Sequence, residues 1–219
     1  MRGLYAIVDT DTLSARGHDP VAFARAVLDG GASVVQLRAK HLEGAETLAL
    51  LRLLGPVCKA SGVPLFANDR ADLAWLAGVD GLHVGQGDVR PTEARALFEA
   101  SGRRLRIGFS THDEAQADAA LAEPIDYLAI GPVFGTTSKE RPDPTVGADR
   151  AVAIARRVRE RRPGMLVVAI GGIGLEEARA LRGGVDAVAV IGALVPERGT
   201  SLDFTRERAR ALVDALGAP

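Results

Sequence analysis

The chain is poor in lysine, asparagine and glutamine, so the few that survive are informative. Lysine occurs only at Lys40, Lys59 and Lys139, asparagine only as Asn68, and glutamine only at Gln36, Gln86 and Gln116. Most of them stand in short polar strings directly after apolar runs: Gln36-Leu-Arg38-Ala-Lys40, Asn68-Asp69-Arg70, and Thr136-Thr137-Ser138-Lys139. Arg38, Lys40 and Lys139 suit anion binding, arginine by a bidentate fork and lysine as a compact point charge. Asp69 and Asp88 follow neighbouring apolar runs, and two carboxylates beside cations are how Mg2+ is usually held, with phosphate oxygens and water completing the octahedron. Helix capping is the competing reading for either aspartate alone; the pair, with Asn68 and Gln86 nearby, favours a metal. Zinc is disfavoured, because no close histidine pair exists.

Two further strings suit anions. The hydroxyls of Thr136, Thr137 and Ser138 sit in a glycine-flanked loop that can cradle a phosphate or be an ordinary polar turn. Gly171-Gly172 and Ile191-Gly192 each follow an apolar run, where backbone N–H groups can receive an anion, although glycines also serve plain turns. Ser110 and His112 follow another run. His83 and His112 are candidate acid–base groups. His112 suits a first helical turn equally well, and His83 can point into the interior.

These residues need a frame. Eight short runs carry the apolar character of strands buried on both faces: Leu4–Asp9, Val34–Leu37, Pro64–Asn68, Gly81–Val84, Leu105–Phe109, Tyr127–Gly131, Leu166–Ile170 and Ala187–Ile191. Amphipathic stretches separate them, over roughly 19–30, 44–61, 70–77, 91–101, 111–121, 149–162, 175–182 and 201–216. Pro91 suits a first helical position, Thr111 with Glu114 reads as a capping box, and Gly30–Gly31, Gly62, Gly78 and Gly183–Gly184 suit helix stops. Strict alternation of eight units predicts an α/β protein with a parallel sheet closed into a single (β/α)8 TIM barrel over 1–219. An open doubly wound sheet shares the alternation, but the first turn, DTDTLSARGHD, lacks a G-x-G-x-x-G loop. In a barrel, loops after the strands carry function, and the scarce polar residues fall there.

Composition removes several classes. Hydrophobic residues at 47% supply a large core, and a net charge of −1 gives no nucleic-acid footprint. Apolar runs are of strand length, which excludes a membrane helix. The start, MRGLYAIVDT, enters a strand pattern with no hydrophobic signal region, so a soluble cytoplasmic protein is expected. Cys58 is the only cysteine, so no internal disulfide forms, and its place among Leu50, Leu51, Leu54 and Val57 predicts core packing.

The strings QLRAK, FANDR, GLHVGQGD, GFSTH, DYLAIGPVFGTTSK, VAIGGI and AVAVIGAL, in this order, resemble the thiamine-phosphate synthase family over essentially the whole chain. The resemblance implies a (β/α)8 barrel that joins a pyrimidine diphosphate to a thiazole phosphate with Mg2+, releasing pyrophosphate. It implies Gln36, Arg38, Lys40, Asn68, Ser110 and Lys139 at the pyrimidine diphosphate, with Arg38, Lys40 and Lys139 also serving catalysis. It implies Asp69 and Asp88 as Mg2+ ligands, and Thr136, Thr137, Ser138, Gly172, Ile191 and Gly192 at the thiazole phosphate. The partners are then these small molecules, with no nucleic acid or membrane; a homo-oligomer is compatible with the sequence. The chain departs from the family pattern at Ala39 (usually Glu), Gly87 (commonly acidic), Gly192 (usually Ser) and Ser138 (usually Thr). The related thiazole tautomerases tend to lose the aspartate of GQ-x-D and the loop ending in Lys139, both kept here, which favours the synthase. A non-catalytic regulatory barrel is a third reading.

Overall fold

A strand turns alternate side chains to opposite faces, and the computed structural model, which describes residues 1–136 and 144–217, shows what each face does. Strands β1 (Gly3–Asp9), β2 (Val34–Arg38), β3 (Leu65–Asn68), β4 (Gly81–Val84), β5 (Arg106–Thr111), β6 (Tyr127–Ile130), β7 (Leu166–Ile170) and β8 (Ala187–Val190) pair in parallel in chain order. β1 pairs with β8, which closes the barrel and excludes the open sheet. Leu4, Ala6 and Val8 of β1 join the core beneath the helices, whereas Tyr5 and Ile7 join a second core inside the barrel with Val34, Phe66, Tyr127 and Val168. Continuing the inward parity upward brings Asp9, Gln36, Arg38, Asn68, His83 and Ser110 to the C-terminal mouth.

Large rings fill the barrel because glycines face them. A Cβ on Gly81 would lie 2.2 Å from the Phe66 ring, and one on Gly108 would lie 1.9 Å from that of Tyr127. The lower end is closed by a repeated clamp. Asp80, Asp126 and Asp186 each stand just before an even-numbered strand. Their carboxylates accept from the backbone N–H of Leu65 (2.9 Å), Ile107 (2.8 Å) and Val167 (2.9 Å), and their own N–H groups donate back to the carbonyls of those three residues. Ser33 donates to the Leu4 carbonyl in the equivalent place.

The surrounding helices are α1 (Thr10–Arg16), α2 (Pro20–Asp29), α3 (Gly44–Ala60), α4 (Ala71–Ala77), α5 (Pro91–Ala100), α6 (Glu114–Ala120), α7 (Ala148–Arg161), α8 (Leu175–Leu181) and α9 (Asp203–Leu216). Pro91 opens α5, and Gly31, Gly62, Gly78 and Gly183 take positive φ just beyond helix ends, as expected. Cys58 is buried in the core. Three expectations are corrected. The stretch after Asp9, read as loop, forms α1, because Asp9 caps it by accepting from the Thr12 N–H (2.9 Å). β5 is Arg106–Thr111 rather than Leu105–Phe109. Thr111 therefore makes no capping box: its buried hydroxyl donates to the Ala129 carbonyl (3.0 Å), and Asp113 caps α6 instead. No helix among the described residues is long and apolar enough to cross a membrane.

Candidate active site

The loops after the strands surround one cavity of about 700 Å³ at the barrel mouth. Gln36, Arg38 and Lys40 from the end of β2 line it, as do Asn68 and Asp69 after β3, Asp88 after β4 and Ser110 of β5. On the opposite wall lie Thr136, Gly172, Ile191 and Gly192. Thr137, Ser138 and Lys139 lie outside the described residues. His83 and His112 also line the cavity.

One end is built for charge. Lys40 donates to the Asp69 carboxylate, and Arg38 donates to Asp9, whose side chain is only 2% exposed. Asp69 adopts φ +61, the only positive value at a non-glycine among the described residues, and its N–H donates to the His83 carbonyl (2.8 Å). A left-handed conformation at a non-glycine costs energy, so the surrounding structure must hold Asp69 in place at the cavity wall. Asp88 accepts from the Gly85 N–H (2.7 Å). Burial, with the neighbouring Asp69 carboxylate adding to it, pushes the Asp88 carboxyl above its ordinary range, against the opposing effects of the Gly85 N–H and Lys40. Two carboxylates held together, with Lys40 beside them, have the hard oxygen donors that a small divalent cation fits. Among the described residues no cluster of three His, Cys, Asp or Glu offers an all-protein cage, so phosphate oxygens and water would complete the coordination.

The other end is built for close backbone approach. Gly172 has φ +64, and a Cβ there would lie 2.3 Å from the Gly135 carbonyl, so only glycine lets the loops after β6 and β7 meet. At Gly131 a Cβ would lie 2.2 Å from the Ile170 carbonyl. Gly192 is different: it opens a short 3₁₀ turn, Gly192–Leu194, and a Cβ there meets nothing within 4 Å.

His83 points inward, between Tyr127 (Nδ1 to hydroxyl, 2.7 Å) and Ser110 (Nε2 to Oγ, 2.8 Å). His112 precedes α6 rather than lying in its first turn, and its Nδ1 donates to the Gly131 carbonyl (2.5 Å). The sequence reading assigned no role to Tyr5 or Tyr127, which form the floor of the cavity, and none to Asp9 as the partner of Arg38. A signal existed for the tyrosines: they are the only two in the chain, and both fall in strands.

Residues 4–194 match the family model for thiamine monophosphate synthase. The chain belongs to this family. It is 42% identical to the thiamine-phosphate synthase of Koribacter versatilis over 88% of each chain, and 40% identical to that of Anaeromyxobacter dehalogenans over 88% of this chain and 80% of that one. The solved thiamine phosphate pyrophosphorylase of Pyrococcus furiosus superposes with a TM-score of 0.80 at 27% identity, covering 98% of this chain and 95% of that one.

Proposed function

We propose that this barrel couples a pyrimidine diphosphate, an amino-methyl-substituted ring bearing a diphosphooxymethyl arm, to a thiazole phosphate, giving thiamine phosphate and pyrophosphate. The observation that carries this is the two-ended cavity: a carboxylate pair beside Arg38 and Lys40 at one end, and the glycine-lined wall of Gly172 and Gly192 at the other. Two phosphorylated substrates need two anion sites, with the reacting methylene carbon and thiazole nitrogen between them.

In the reaction, the methylene C–O bond breaks with its electron pair leaving on the diphosphate oxygen. The thiazole nitrogen then supplies a lone pair for the new C–N bond. No proton changes hands, so the site needs no nucleophile–base pair, and its task is orientation and stabilisation of departing charge. Mg2+ held by Asp69 and Asp88 would supply charge neutralisation for the diphosphate. Arg38 and Lys40 bind the diphosphate from the β2 end, with Asn68 beside them. Gln36 and Ser110 meet the pyrimidine. Thr136, with Thr137 and Ser138, joins Gly172, Ile191 and Gly192 at the thiazole phosphate. Lys139 acts on the leaving group, so Lys139→Ala should lower kcat more than it raises KM. The reaction belongs in the cytoplasm, where both substrates are soluble metabolites and no nucleic acid or membrane takes part.

The test is the purified protein with both substrates and Mg2+, followed by chromatographic detection of thiamine phosphate and pyrophosphate. Isomerisation of the thiazole without coupling, dependent on His112, would assign the chain to tautomerase chemistry. Binding of thiamine phosphate with neither activity would make it a regulatory barrel.

A further inference from the structure

Six side chains join end to end across the barrel interior beneath the cavity. Gln36 Nε2 donates to Asn68 Oδ1 (2.9 Å), and the Tyr5 hydroxyl donates to Gln36 Oε1 (2.7 Å). The Tyr5 and Tyr127 hydroxyls lie 3.0 Å apart, Tyr127 meets His83 Nδ1 at 2.7 Å, and His83 Nε2 meets Ser110 Oγ at 2.8 Å.

Proton counting gives this chain one direction. A phenol has one proton to donate, and an amide oxygen only accepts. Tyr5 commits its proton to Gln36, so in the contact between the tyrosines Tyr127 is the donor. With its own proton committed, Tyr127 can only accept from His83, so Nδ1 carries hydrogen. In the neutral ring Nε2 is then a bare lone pair, and the Ser110 hydroxyl must donate to it. Both phenols are fully buried, and burial pushes their ionisation well above the ordinary range, so neither becomes an anion that would break the count. Reversing the order requires the amides of Gln36 and Asn68 both to turn over. Asn68 would then offer an oxygen instead of an NH2 group to a cavity end that carries Arg38 and Lys40 for anions.

We propose that Tyr5 and Tyr127 are positioning residues that fix His83 as its Nδ1–H tautomer and turn the Ser110 proton inward, so that Ser110 meets a ligand as a hydrogen-bond acceptor. The ligand group opposite Ser110 must accordingly be an N–H or O–H donor, such as a ring amino group; an oxo substituent there leaves two acceptors facing each other. Only this consequence rests on the proposed reaction. The hydrogen-bond order belongs to the unliganded cavity.

The test is long-range ¹H–¹⁵N correlation of the histidine rings in the unliganded, ¹⁵N-labelled protein, at a pH where His83 is neutral, with His83→Asn used to assign its signals. The expected spectrum shows Nδ1 as the protonated nitrogen and Nε2 as the bare one, the reverse of the tautomer free histidine favours in water. Tyr5→Phe is the decisive variant, because Tyr5 makes no hydrogen bond to His83. Without Tyr5 as acceptor, the Tyr127 proton turns to Nδ1, and His83 should shift to Nε2–H, donating to Ser110. A wild-type His83 protonated at Nε2, or a Tyr5→Phe spectrum unchanged from wild type, overturns the proposal. If Tyr5→Phe does not fold, the wild-type tautomer alone decides. The coupling assay is independent: a chain that makes no thiamine phosphate yet shows the Nδ1–H ring fails the functional reading and keeps this one.

Discussion

Asp9 holds Arg38 with one carboxylate oxygen and caps helix α1 with the other. Oδ2 accepts the guanidinium, while Oδ1 accepts from the Thr12 N–H (2.9 Å) and hydroxyl (2.6 Å). The cap therefore fixes the aspartate that fixes the arginine. Asp9→Ala should cost about 1 kcal/mol for the cap, and more for leaving the arginine without a partner at a mostly buried position. Asp9→Asn can keep the cap while weakening the hold on Arg38. Both variants should lose coupling activity by up to roughly 10²-fold, the scale of a misplaced binding group. Thermal denaturation should rank Asp9→Ala below Asp9→Asn, and steady-state kinetics should show both impaired. An Asp9→Asn enzyme with unchanged kcat/KM would mean that the hold on Arg38 is dispensable.

The carboxylate pair gives a prediction about metal. If Asp69 and Asp88 hold Mg2+ together, a chelator should abolish coupling. Asp88→Ala should weaken Mg2+ binding measured calorimetrically in the presence of inorganic pyrophosphate. Because Mg2+ keeps several waters and relies on phosphate oxygens, little binding is expected without pyrophosphate. Full activity of Asp88→Ala in metal-free buffer would falsify the assignment.

The barrel was legible because eight apolar runs alternated with helical stretches, and the rim because scarce residues such as Lys40 and Asn68 fell at strand ends. What stayed hidden has physical reasons. In strands buried on both faces, inward Tyr5 and outward Leu4 look equally apolar, so pattern alone cannot say which side chain floors a cavity. Tyr127 entered the reading only as part of a strand, although the scarcity argument used for lysine applied to it. Helix α1 is two turns long, too short for a periodic pattern to stand out, and its cap residue, Asp9, also ends a strand. Thr111 was misplaced because a threonine near a glutamate reads as a cap whether or not the strand has already ended.

The aspartate clamps at the lower end should matter for stability and not for chemistry. In Asp186→Ala the Val167 N–H loses its side-chain acceptor, and Arg159 loses its partner at 2.9 Å. Leaving a buried donor unsatisfied costs roughly 1–3 kcal/mol. Urea denaturation should show that loss, while kcat and KM stay near wild type because the cavity is at the opposite end. Asp126→Ala, which releases the Ile107 N–H and Arg95, should behave alike. A large change in kcat for either variant would show that the two ends are coupled.

Cys58 gives a pH dependence whose sign can be worked out. Burial first, and the charge of Asp80 second, push its thiol up to about 11 from 9.0. Between these values the native state keeps a proton that the unfolded chain releases, so this group lowers stability as pH rises through that window. Denaturation midpoints for wild type and Cys58→Ala should fall less steeply in the variant from pH 9.0 to about 11. At neutral pH the thiol should resist a disulfide reagent until the protein unfolds. Rapid labelling of the native protein would show that helix α3 opens on its own.

Gly192 offers a substitution that should improve function. The family pattern usually has serine there, and the structure has room for it: a Cβ meets nothing within 4 Å, and the residue is outside the positive-φ set. The site lies on the cavity wall assigned to the thiazole phosphate, which Ile191 and Thr136 also line. A serine hydroxyl adds one charge-assisted hydrogen bond to a phosphate oxygen, and bonds to charged groups contribute about 1.5–3 kcal/mol when well aligned. Part of that is offset by ordering the side chain. Gly192→Ser should therefore lower KM for the thiazole phosphate by roughly threefold to tenfold. KM for the pyrimidine diphosphate should not move, because its charged end lies across the cavity. The dephosphorylated thiazole alcohol separates the causes, since a hydroxyl that acts on phosphate gives it no advantage. Equal gains for both thiazoles would place the new side chain against the ring, and a higher KM for the phosphate would remove Gly192 from the phosphate site.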